Sequence, residues 1–159
     1  ASGAGLFRRV QRGARVGPTY QYAARIDRCI DGDSLAVTLD LGFSVTISQQ
    51  LRLLGVDCAE KRGYREMPDL KKLGQLATRF VSDTVKEKGK DCIIISHKDG
   101  KGKFGRLLAE VWWPGMQISL NDLLIDEHLA VAYHGQSKSE IYQEHIRCMW
   151  WHKTAGNIK

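Results

Sequence analysis

The chain has 159 residues, 43% hydrophobic and 26% charged, with a net charge of +6. That is enough for one domain with its own core. No apolar run approaches the ~18 residues a bilayer-spanning helix needs, so no membrane-spanning helix is expected. The charge is uneven: residues 1–18 hold Arg8, Arg9, Arg12 and Arg15 and no acid, leaving 20 basic against 18 acidic residues in the remainder. A basic chain suggests an anionic partner, but here the excess sits in a Gly-rich arm, so the body must be judged on local arrangement.

In chain order, residues 1–18 are expected to form a flexible basic arm, broken by Gly3, Gly5, Gly13 and Gly17-Pro18. Residues 19–159 are expected to form one folded domain. Arginines without a following apolar h-region do not make a signal peptide, so the expectation is an intracellular protein, with organelle targeting by the basic terminus as the alternative. Tyr20–Ile30 is aromatic and β-branched and reads as a strand ending at the turn Asp31-Gly32-Asp33. Ser34–Leu39 alternates Leu35, Val37 and Leu39 with small or polar residues, the period of a half-buried strand. After a turn at Asp40–Gly42, Phe43–Val56 reads as one long strand.

A basic loop, Lys61–Glu66, precedes a helix opened by Pro68 and Asp69 and closed by Gly89, with Leu70, Leu73, Ala77, Phe80, Val81 and Val85 at helical spacing. Two further strands follow, Asp91–His97 and Phe104–Trp113, joined by the Gly/Lys loop Lys98–Lys103. Ser119–His128 is a short helix and Leu129–Tyr133 is extended. Ser137-Lys138-Ser139-Glu140 is a capping box for a last helix through Trp150, with Ile141, His145, Ile146 and Met149 on its face. Three strands, a helix, two strands and two helices suit an α+β, mainly β architecture: an OB-like five-stranded Greek-key barrel with helices outside. A ferredoxin-like sandwich groups its strands differently.

Cys29, Cys58, Cys92 and Cys148 form no C-x-x-C pair and read as reduced thiols, with two disulfides as the alternative. The five histidines lack zinc spacing and read as surface or satisfied core residues. In Trp112-Trp113 and Trp150-Trp151, one member of each pair is expected in the core and one at the surface, where it could stack on a base.

Three short segments carry possible chemistry. Asp31-Gly32-Asp33 puts two carboxylates at a strand junction, which suits a hard cation but also an ordinary hairpin turn. It is not an EF-hand, because the twelfth position from Asp31 is Gly42. Arg52 interrupts an apolar strand, opposite in direction to Leu51 and Leu53, and Asp57 and Glu60 follow the strand end. An Arg52–Asp57 ion pair of purely structural value is the plain alternative. Lys103-Phe104-Gly105-Arg106 brings a guanidinium to a strand start, where its planar fork can meet a phosphate or simply solvent. Jointly the segments offer two acids for a metal, one for a water and two arginines for phosphorus, the requirements of phosphodiester hydrolysis.

The motifs D-G-D-S, R-L-L-G-V-D-x-x-E and K-F-G-R, in this order around one helix, resemble the staphylococcal nuclease family over roughly residues 20–155. The similarity extends to Asn121-x-x-Leu124 and Leu129–Tyr133. The resemblance implies an OB-fold barrel with three helices and a nuclease acting on DNA or RNA. It implies a divalent cation, Ca²⁺ first and Mg²⁺ or Mn²⁺ as alternatives, held by Asp33, Asp57 and the Cys58 backbone carbonyl, with Asp31 behind them. Glu60 would be the general base, Arg52 and Arg106 the phosphate-binding arginines, and Lys103 and Tyr133 substrate contacts. Cys58-Ala59 stands where the family usually has Thr-Pro, Gly102 where it often has Asp, and Phe104 where it has Tyr. A non-catalytic nucleic-acid-binding module is the alternative function.

Overall fold

The alternating segments of the first half form three strands, β1 (Gln21–Asp31), β2 (Ser34–Asp40) and β3 (Thr46–Leu53). A two-residue strand β4 (Val56–Asp57) and the long helix α1 (Leu70–Lys88) follow. The second half holds β5 (Asp91–Lys101), β6 (Leu107–Trp112), α2 (Leu120–Asp126), β7 (Val131–Ala132) and α3 (Lys138–Thr154). The computed structural model describes residues 20–101 and 106–159, so the expected arm at 1–18 and Lys103 lie outside the described residues.

Strands β1, β2, β3, β6 and β5, in that order, close into a barrel. The neighbours are antiparallel except β3 and β6, which run parallel with Leu51 opposite Leu107 and Arg52 opposite Leu108. Because side chains alternate across a strand, Leu35, Val37 and Leu39 of β2, Leu51 and Leu53 of β3, and Ala109 and Val111 of β6 all fill the interior. The expected mainly β barrel with three helices is thus the observed fold, and closure excludes the ferredoxin-like sandwich.

One predicted strand is cut twice. Phe43–Val56 becomes β3 and β4, because Phe43 and Ser44 adopt φ of 52° and 63° and Gly55 a φ of 75°. The Asp40 carboxylate accepts the Gly42 N–H at 2.9 Å, which initiates the first turn and leaves Phe43 fully exposed. At the second turn the chain leaves the barrel, and β4 pairs with β7 instead.

Helix α1 buries Leu70, Leu73, Ala77, Val81 and Val85 of the predicted stripe and leaves Phe80 half-buried. Asp69 makes no side-chain cap; it pairs instead with Lys72 at 3.0 Å and with Lys153 of α3, tying the two helices. Asn121 of α2 is a buried bracket: it donates to the carbonyls of Leu54 and Ala109 at 2.9 and 3.2 Å and accepts the Val111 N–H at 3.2 Å. That bracket adds side-chain hydrogen bonds to the β3–β6 seam, where the Leu54 N–H also donates to the Ala109 carbonyl at 2.9 Å.

The capping box of α3 is present, and the helix continues to Thr154, past the predicted end. Its buried residues are His145, Met149 and His152. They fill the inward positions, so Trp150 and Trp151 are both exposed, against the expectation of one inside. Trp113 is buried, as expected, while Trp112 is half-buried rather than at the surface. The four cysteines are free thiols. Among the described residues, no helix is long and apolar enough to cross a membrane.

Candidate active site

The site lies where the β1–β2 turn, the end of β3 and β4 meet beside α1. Gly32 is fixed by packing: a Cβ there would lie 2.8 Å from the Ala77 Cβ and 2.9 Å from the Cys58 Sγ. The turn therefore sits directly on α1, and this holds Asp33 inward. Asp33 is 7% exposed, and its Oδ2 accepts the Cys58 N–H at 3.0 Å while Oδ1 accepts the Ser34 hydroxyl at 3.3 Å. Burial pushes the Asp33 carboxyl above its usual range; the Cys58 amide and Arg52 pull it down, and the charges of Asp57 and Asp31 push it up.

Arg52 extends from β3 toward both acids. Its Nη2 donates to Asp57 Oδ1 at 2.7 Å and lies 3.7 Å from Asp33 Oδ2. The second oxygen of Asp57 bonds His145 Nε2 of α3 at 2.8 Å. Asp31 meets Lys61, whose Nζ is 3.4 Å from its carboxylate and donates to the Ile30 carbonyl at 2.8 Å.

Glu60 is exposed at the rim, and its backbone N–H donates to the Tyr64 hydroxyl at 2.9 Å. Tyr64 supplies an anchor for this segment, which has Ala59 where a proline would otherwise stiffen it. A second anchor is steric, since Gly74 of α1 lets the backbone pass so close that a Cβ would lie 2.5 Å from the Glu60 carbonyl oxygen.

Arg106 is half-buried and stands one residue before β6. Two residues on, Leu108 lies opposite Arg52 across the β3–β6 pair. Tyr133 is 47% exposed, and its N–H donates to the Gly55 carbonyl at 2.8 Å.

Asp33, Asp57, Arg52 and the Cys58 amide are thus brought together, while Glu60 flanks them. Asp31 is engaged elsewhere, and Lys103 lies outside the described residues. The Arg52–Asp57 ion pair, the plain alternative in the sequence, is present and part-buried.

Sequence reasoning missed His145, Lys61 and Tyr64. His145 was visible as a polar residue on an apolar helical face, but its partner is 88 residues away. Lys61 and Tyr64 carried only the signal of a basic loop.

Among the described residues no group of three or more His, Cys, Asp or Glu side chains is gathered to hold a metal ion. The two carboxylates that converge, Asp33 and Asp57, are all-oxygen donors. Such a pair fits a hard cation that completes its shell with carbonyls, water or substrate phosphate, rather than zinc or copper.

A family model described as "Staphylococcal nuclease homologue" matches residues 50–154. The chain belongs to the staphylococcal nuclease family. The match includes Arg52, Asp57, Cys58, Glu60, Arg106, Tyr133 and His145, and it begins after Asp31 and Asp33. A comparison with curated proteins found no match. Family membership, with the closed barrel, makes this a staphylococcal-nuclease-like domain, a nuclease-type or nucleic-acid-binding module.

Proposed function

We propose that this staphylococcal nuclease homologue hydrolyses phosphodiester bonds in DNA or RNA with the help of a divalent cation. The observation that carries the reading is the convergence of Asp33 and Asp57 on one nitrogen of Arg52 at 3.7 and 2.7 Å, beside the exposed Glu60. Two acids held this close around one guanidinium form a site whose charge balance a cation and a phosphate can take over.

Asp33 and Asp57, with the Cys58 carbonyl, would hold the cation, which when bound supplies Lewis-acid polarisation of the phosphate. Ca²⁺ is the first candidate, and Mg²⁺ and Mn²⁺ suit the same donors. Glu60, open to solvent, takes the proton of the attacking water as general base. Arg52 and Arg106 donate to the non-bridging phosphate oxygens as negative charge accumulates on them, an interaction stronger in the transition state than in the ground state. Tyr133 and Lys103 contact the substrate backbone. Asp31, paired with Lys61, holds the turn rather than the cation.

A second reading, a nucleic-acid-binding module without catalysis, is favoured by one observation: the acids and Arg52 already satisfy one another. One experiment separates the two. Plasmid, single-stranded DNA and RNA are incubated with the protein and Ca²⁺, Mg²⁺ or Mn²⁺, with and without a chelator. Cleavage that needs the cation is expected. Retained nucleic acid with no product in any lane selects the binding module, and cleavage indifferent to chelator removes the cation from the mechanism.

A further inference from the structure

We propose that His145 is a positioning residue that holds Asp57 for the cation, a role resting on the nuclease reading above. Asp57 belongs to a strand of two residues, β4, which starts just after the Gly55 turn and pairs only with the equally short β7. So brief a ladder fixes the backbone weakly, and the carboxylate must be oriented by its own contacts. It has two. Arg52 takes Oδ1 at 2.7 Å and His145 takes Oδ2 at 2.8 Å.

The two contacts differ in kind. Arg52 is partly open to solvent and is expected to turn toward phosphate. His145 is 3% exposed, sits in mid-helix on α3, and has Met149 one turn further along the same buried face. It is therefore the contact that persists when Arg52 changes partner.

The chemistry of the ring also suits the role. Asp57 as a carboxylate only accepts, so Nε2 carries the hydrogen. Nδ1 is buried with no hydrogen-bond partner among the described residues, so a proton there would be an unsatisfied donor. The ring fixes one oxygen of Asp57 through a single contact at Nε2. Each carboxylate oxygen keeps a second lone-pair direction for the metal. Partners that orient a ligating group in this way typically influence metal affinity about 10–100-fold.

The test compares the wild type with His145→Leu and His145→Gln. Ca²⁺ and Mn²⁺ affinities are measured by calorimetry, alongside kcat and KM for DNA cleavage and thermal unfolding. His145→Leu fills similar space without a donor and is expected to weaken cation binding about 10–100-fold. At saturating cation its kcat falls while KM changes little. His145→Gln presents an N–H at a similar reach and restores most of the affinity, which a merely structural role would not require. A folded His145→Leu protein with wild-type cation affinity overturns the proposal. If that variant does not fold, His145→Asn decides, since its amide stops short of Asp57: the same weakening is expected, and wild-type affinity overturns. A wild type that binds no cation and cuts nothing removes the nuclease reading itself. Cation binding by the wild type with unchanged variants removes only the role of His145.

Discussion

A residue's neighbours decide its chemistry. Asp33 and Asp31 are separated by one glycine, yet one is buried against the Cys58 amide and the other is half open beside Lys61. Only the first is placed to face Arg52. Glu60 differs from both: it is exposed and its backbone, rather than its side chain, is anchored. That is the arrangement expected of a base that must reach a water. Glu60→Gln keeps size and polarity but cannot take a proton, so cleavage is expected to fall about 10²–10⁴-fold. On the proposed mechanism Arg106→Ala removes a charge-stabilising donor and is expected to lower the rate about 10²–10³-fold. Single-turnover cleavage with unfolding curves run in parallel checks both. A near-wild-type rate in either folded variant would remove that residue from the mechanism.

At the scale of elements, α1 is the platform for the site. Its Gly74 and Ala77 are small because two site segments lie directly on them, the Ala59-Glu60 backbone and the Gly32 turn. Alanine is the better helix former by ~1 kcal/mol. At position 74, however, its methyl would meet the rigid carbonyls of Ala59 and Glu60, an overpacking cost of about 1–3 kcal/mol. Gly74→Ala is therefore expected to lower the melting temperature and to slow cleavage by shifting Glu60. A raised melting temperature with full activity would show that the close approach constrains neither.

At the scale of the whole molecule, burial of the thiols predicts how stability responds to alkali. Desolvation pushes Cys92 up to about 12, and it also raises Cys29, Cys58 and Cys148. An unfolded chain ionises its thiols near pH 8.5. The folded-state value is the higher one, so this stability is fully present below that pH. As pH rises further the unfolded chain loses protons that the folded chain keeps, and stability falls by up to about 1.4 kcal/mol per pH unit for a buried thiol such as Cys92, and by less for the half-buried Cys29 and Cys148. Urea unfolding at pH 8 to 10.5 should show a steeper fall for the wild type than for Cys92→Ala. Parallel curves would mean that Cys92 does not contribute.

The sequence by itself determined the barrel, and it named Asp33, Asp57 and Arg52, which the fold brings together. Period-two and helical patterns are local, and a buried strand or helix face must repeat them, so β2, α1 and the cap of α3 were legible from a few residues each. The order of D-G-D-S, R-L-L-G-V-D-x-x-E and K-F-G-R likewise carried the family. What it could not determine were relations across the chain. The breaks at Phe43 and Gly55 depend on backbone turns that an apolar run conceals. The inward choice of His145, Met149 and His152 over the tryptophans was made by what α3 packs against. Tertiary structure alone separated Asp33 from Asp31 and brought His145 across 88 residues onto Asp57. A carboxylate's surroundings are set by the elements that converge on it, and no local pattern encodes that convergence.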